Sequence, residues 1–176
     1  MQVRKTTNVD IDRVMDVLAE GRRAIAALGI DQWQAGYPFR ETIEIDVENG
    51  QSYVIEDEGA ILGTFMLTFD GEPTYDVIEG AWLTDSNSAE PRYACVHRIA
   101  ICDAARGRGV AKFAIDEAMR LALAQGAESV RIDTHPGNVV MRGLCGRMGF
   151  AECGTIFISH AGEGTPDRVA FERLCE

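Results

Sequence analysis

Apolar and polar positions along this chain switch between two periods, and the switches mark its elements. Residues 2–6 alternate as a short strand does, and Thr7 or Asn8 then offers an oxygen to cap a helix. Val9, Val14, Val17, Leu18, Ile25 and Leu28 recur at helical spacing until Gly29, a stop signal. Residues 31–40 are aromatic, punctuated by Gly and Pro, and aperiodic. They predict a loop leading into a short helix over 41–48, which the Asn49-Gly50 turn closes. Residues 52–56 and 60–69 read as a hairpin around Glu56-Asp57-Glu58-Gly59.

Residues 70–91 follow no clear period: Trp82 and the 75–78 run suggest packed parts, and 84–91 reads as exposed loop. Beyond it the pattern sharpens. Residues 93–101 predict a strand, then a Gly/Arg-rich turn, then a helix over 110–125 that Gly126 ends. Residues 129–133 predict another strand. Pro136-Gly137 breaks the chain, and Asn138 caps a helix reaching about Met148, with Gly149 as its stop. Residues 150–159 and 168–174 close the chain as paired strands around a Gly162-Glu163-Gly164 loop. The strand–helix–strand step implies a parallel pair, and the hairpins imply antiparallel neighbours. The expected fold is α+β, a mixed and mostly antiparallel sheet flanked by helices. Without repeat or linker, residues 1–176 read as one domain.

The balance of 46% apolar and 26% charged residues is that of a globular chain, which argues against disorder. The formal net charge of −11 disfavours a nucleic-acid partner and would attract cationic molecules. Cys95, Cys102, Cys145, Cys153 and Cys175 are odd in number and lack CxxC spacing, so neither a disulfide framework nor a metal site is expected. No apolar leader opens the chain, and no run approaches the roughly 18 apolar residues of a membrane span. A cytoplasmic protein without membrane contact is the expectation, a homodimer being plausible because twofold pairs are the commonest assemblies.

The sharpest chemical signal is Arg106-Gly107-Arg108-Gly109-Val110-Ala111, between a strong strand and a strong helix. Amides in the first turn of a helix lack intrahelical partners and carry partial positive charge. Glycines let a ligand approach the backbone, so such a turn suits a pyrophosphate, with Arg106 and Arg108 adding charge. The P-loop pattern is absent, and only GxG of the dinucleotide fingerprint is present. Read alone, the turn is equally a tight strand-to-helix connection that holds nothing.

Arg106-x-x-Gly109-x-Ala111 resembles the (Q/R)xxGx(G/A) motif of the GCN5-related N-acetyltransferases (GNAT). The segment from Asn138 through Met141, Leu144 and Cys145 to Gly149-Phe150 resembles their second motif, Asn-xx-Ala-xx-Leu-Tyr-xxx-Gly-Phe. Their spacing and the order of elements along the whole chain fit the same family. The resemblance implies an acetyl-CoA-dependent acyltransferase acting on a primary amine, with acetyl-CoA as co-substrate and no metal. Main-chain groups at Ile99, Ala100 and Ile101 would carry the acetyl and pantetheine arm. The amides of Arg106, Gly107, Arg108, Gly109, Val110 and Ala111 would hold the pyrophosphate, and Asn138 would meet the arm or the adenosine side. The 129–133 strand would splay from the 93–101 strand to leave the cofactor cleft.

Amine attack on a thioester needs a base, oxyanion donors and a proton for the departing thiolate. Strand amides over 93–101 are candidate oxyanion donors. The family's usual tyrosine acid is replaced here by Cys145, a candidate acid or an inert buried thiol. His97, placed by alternation on one side with Ile99 and Ile101, and Glu79 are candidate bases. His135 is a candidate cofactor contact, and His160 suggests no role. Trp33 and Tyr37 lie where the family often seats its acceptor, and offer aromatic walls to a cationic amine. The missing tyrosine keeps open an acetyl-CoA-binding sensor with little catalysis, and the turn alone keeps open a nucleotide-binding protein. The acceptor, small molecule or protein, is not legible.

Overall fold

The computed structural model describes residues 1–158 and 164–176. The elements run β1 (Gln2–Lys5), α1 (Ile11–Ala26), α2 (Arg40–Glu48), β2 (Ser52–Asp57), β3 (Ala60–Thr68), β4 (Glu79–Gly80), β5 (Tyr93–Ile101), α3 (Val110–Ala124), β6 (Ser129–Thr134), α4 (Val139–Arg147), β7 (Ala151–Phe157) and β8 (Asp167–Leu174). Each expected strand and helix is present within a few residues of its predicted ends. His160, Gly162 and Glu163 lie outside the described residues.

The strands form one sheet in the order β1-β2-β3-β5-β6-β8-β7-β4. Only β5 and β6 pair in parallel among the described strands, as the intervening α3 crossover requires. α1 is entered through a 3-10 turn at Asn8–Asp10, where the Thr7 amide donates to Asp10 Oδ2 at 2.8 Å. Arg4 of β1 grips the same carboxylate at 2.7 and 3.0 Å, fastening the first strand to the first helix. α1 buries Val14, Val17 and Leu18, while α3 buries Ala114, Ile115, Ala118 and Ala122, with β3 and β5 beneath them. No helix among the described residues is long and apolar enough to cross a membrane.

The aperiodic 70–91 stretch has order of its own. Tyr75 and Trp82 pack over Tyr93, Cys95, Ile156 and Ala170 as a second apolar cluster. Arg131 of β6, fully buried, is sandwiched between the Trp82 and Tyr93 rings at 4.2 and 3.9 Å. Its Nε donates to Glu172 Oε1 at 3.0 Å, and the same carboxylate accepts from Ser129 at 2.6 Å and from Thr84. The segment takes its place from tertiary contacts to charged and aromatic groups, which carry no local periodicity.

Candidate active site

The sheet opens at β5. Tyr93, Ala94 and Cys95 pair with Ser129, Val130 and Arg131, and there the parallel ladder stops. Further along, β5 keeps β3 on one edge while β6 stays with β8 as far as Thr134. The β3–β5 register also slips: Thr64 faces Ala100, yet Met66 faces His97. Arg98 takes a left-handed φ of 52° at this point, so an extra residue sits on β5 as a bulge. The bulge breaks the alternation expected for this strand. His97 and Arg98 line one cavity, Ala100 and Ile101 line another, and Ile99 lines both.

The cavity of about 510 Å³ lies between α1, the end of β5, the turn before α3, and α4. Gly107 and Gly109 both have left-handed backbone, φ 75° and 79°, which costs about 1–2 kcal/mol for a residue with a Cβ. A Cβ added at either would meet nothing within 4 Å, so the space over the turn is open. Gly109 is the N-cap of α3, whose first amides lack intrahelical partners. A pyrophosphate-bearing group fits this combination of open space, glycine and helix start.

The arginines of the turn behave differently from expectation. Arg106 lines the cavity but turns its guanidinium onto Asp103 at 2.6 Å and the Glu20 carbonyl at 3.1 Å. Arg108 is no part of the lining, and its guanidinium stands 3.8 Å from Asp57. The other cations of this wall are Lys112, paired with Asp116 at 2.6 Å, and Arg147.

α4 presents Val140, Leu144 and Arg147 to the cavity, a spacing of four and three residues that keeps one helical face. Cys145 lies about 100° further round the helix and turns inward. It is 1% exposed, belongs to the main core, and burial pushes its thiol up to about 12. The structure therefore does not bring Cys145 to the cleft, where the second motif had suggested an acid. Asn138 caps α4, its Oδ1 accepting from the Met141 amide at 3.1 Å, and lines both cavities.

The second cavity, about 300 Å³, is polar and acidic. Asp70, Glu72 and Asp133 line it together with His97, Trp33 and Tyr37. His97 Nε2 stands 3.7 Å from Glu72, and Nδ1 3.8 Å from Asp133. Asp133 also accepts from the buried Tyr75 hydroxyl at 2.7 Å. Arg98 is committed elsewhere: it grips Asp46 at 2.9 and 2.7 Å and donates to the Tyr37 hydroxyl at 2.5 Å. Burial pushes the Asp46 carboxyl up, and Arg98 offsets this only in part. Arg98 is thus turned to Asp46 and Tyr37, while the buried Arg168 guanidinium stands 3.8 Å from Asp133.

Two other candidates fall outside both cavities. Glu79 is exposed on β4, opposite Thr155. His135 accepts from the Gly137 amide at 2.9 Å and approaches Asp31 at 3.6 Å, with burial holding its pKa down. Asp31 also takes the Thr165 amide and hydroxyl, at 2.8 and 2.6 Å, so this contact ties the aromatic loop to the last hairpin. Conversely, the sequence reading passed over Glu72, Asp133, Met141 and Arg147. Met141 and Arg147 were legible from the helical spacing of α4. Glu72 lies in the aperiodic segment, where no local signal marks it.

The acetyltransferase (GNAT) family model matches residues 17–150. A GNAT-family acetyltransferase from Streptococcus agalactiae is 32% identical, with a TM-score of 0.87 over 99% of this chain and 95% of that one. A ribosomal-protein-alanine N-acetyltransferase from Brucella melitensis shares the fold at 17% identity, with a TM-score of 0.68 over 99% of each chain. A Bacillus subtilis acetyltransferase solved in complex with CoA does so at 16% identity and TM-score 0.63, covering 98% of this chain and 96% of that one. No curated protein matches the chain.

Proposed function

The chain belongs to the GNAT acetyltransferase family, and from that premise we propose that it transfers an acetyl group from acetyl-CoA to a primary amine. One observation carries the reading: a glycine-lined cleft at a helix start meets an acidic cavity at a bulged strand edge. In this reading the 106–111 amides hold the pyrophosphate, with Lys112 and Arg147 on the cleft wall. The main chain at Ile99, Ala100 and Ile101 carries the pantetheine arm, and Asn138 meets it from α4. The CoA complex of the Bacillus subtilis relative supports the choice of donor.

The acceptor enters the acidic cavity as an ammonium, drawn by Asp70, Glu72 and Asp133, with Trp33 and Tyr37 as aromatic walls. His97 takes its proton, and the flanking Glu72 and Asp133 stabilise the imidazolium. The amine nitrogen then bonds to the thioester carbon. The carbonyl oxygen takes up negative charge beside the β5 amides, and the C–S bond breaks with its electron pair on sulfur. The adduct nitrogen gives up its second proton to water in the open cleft, and that water relays a proton to the departing thiolate, while His97 releases the first proton to solvent. The balance is one ammonium and one thioester giving one amide, one thiol and one released proton.

A thermal-shift titration with acetyl-CoA, with ATP and NAD as controls, tests the donor, since a ligand of the native state raises the melting point by mass action. A rise with acetyl-CoA alone, followed by thiol release with one or more of a panel of amines, is expected. No rise with acetyl-CoA overturns the donor assignment, and binding without thiol release from any amine favours a sensor.

A further inference from the structure

The donor cleft and the acceptor cavity share a wall. Ile25 of α1, Trp33 of the aromatic loop, Ile99 of the bulge, and Asn138 and Met141 at the start of α4 line both. A thioester carbon reached by an amine from one side and tethered in the cleft from the other must lie at this collar. Four of its five members are apolar, and Trp33 is the largest. Trp33 is 6% exposed and holds a left-handed φ of 66°, a conformation unfavourable for a bulky side chain. Its indole packs beside α1: a Cβ at Gly21 would sit 3.6 Å from Trp33 Cζ3. Just past the collar the lining turns polar, with Glu72, His97 and Asp133. An acyl tail longer than acetyl would have to displace the indole or place methylenes among charged groups, which need water or partners.

We infer that this collar gauges the acyl chain of the donor, with Trp33 as the residue that restricts it to two carbons and Met141 as its counterpart on α4. The inference rests on the donor cleft proposed above. It gives Trp33 a donor-side role in addition to walling the acceptor.

The test compares acetyl-CoA, propionyl-CoA and butyryl-CoA in the wild type, Trp33→Ala and Met141→Ala. Binding is read by thermal shift, and transfer by thiol release to one amine. One methylene in an apolar pocket is worth about 10–200-fold in discrimination. The wild type is expected to favour acetyl-CoA over butyryl-CoA by about tenfold or more, and either variant to narrow that ratio by about tenfold. Trp33→Ala empties a large core volume, so Met141→Ala, half-buried on α4, carries the test if that variant does not fold. Equal wild-type binding of acetyl-CoA and butyryl-CoA, or an unchanged ratio in a folded variant, overturns the collar. The binding arm needs no turnover, so absence of transfer would count against the transferase reading alone.

Discussion

Glu172→Gln is expected to loosen the protein at the vertex of its cleft. Arg131 is the last β6 residue paired to β5, and its guanidinium is fully buried between two rings with Glu172 as its ionic partner. The substitution leaves that cation without a counter-charge, and the Oε2 contacts to the Leu83 and Thr84 amides face an amide group or are lost. Removing one partner of a buried pair costs about 3–5 kcal/mol. For a chain of this length each kcal/mol moves the melting point by about 2–4 °C, so a fall of roughly 6–20 °C is expected. The double variant Arg131→Met/Glu172→Leu should lose less than the two single variants combined, because no lone charge remains. The pH dependence carries a sign. Burial pushes the Glu172 carboxyl up, but hydrogen bonds from Ser129 and Thr84 and the Arg131 guanidinium outweigh it, so it lies below the ordinary 4.5. A carboxyl depressed in the fold contributes stability above its unfolded value and loses it as pH falls through the folded one. The gap between wild type and Glu172→Gln should therefore be full at pH 7 and close in acid below 4.5. The assay is thermal and urea unfolding at several pH values. A single variant melting within about 2 °C of wild type at pH 7, under 1 kcal/mol by the same conversion, would refute the reasoning.

Three shorter predictions concern the cleft. Gly109→Trp should abolish the acetyl-CoA thermal shift while circular dichroism stays native, because it fills the open space over the turn; retained affinity would remove the turn from the donor site. His97→Gln should lower turnover by about 10²–10⁴-fold, the range of a lost general base, with donor binding intact. Wild-type rates across pH would exclude His97. Cys145→Ala should leave turnover unchanged and lower stability by about 1 kcal/mol, as a buried truncation does; a large rate loss in a stable variant would return the thiol to the mechanism.

Most of the fold was legible because its elements announce themselves locally. Gly29, Gly126 and Gly149 follow α1, α3 and α4 where the apolar period ends, each with positive φ. Asn138 caps α4 as its side chain predicted. The Gly107–Gly109 turn was legible for the same reason, being a local arrangement of glycine and helix start. In the 70–91 stretch the packing of Tyr75 and Trp82 was legible but not what they pack against, because they are ordered by strands and an arginine far along the chain.

Element order, the parallel step across α3 and the Gly107–Gly109 turn follow from residues near one another in sequence, since periodicity, caps and backbone freedom act over a few residues. Side-chain direction does not. Cys145 and Leu144 are neighbours, yet one is core and the other cleft, because packing sets how α4 is rotated. His97 reaches the acidic cavity because a bulge re-aims β5, and Glu72 and Asp133 flank it from segments 25 and 36 residues away. Arg106 and Arg108 read as cations for the turn, but the Asp103 carboxylate and the Glu20 carbonyl claim Arg106, and Arg108 stands beside Asp57. Which charges meet is a property of the folded surface, and it appears only once the sheet has opened.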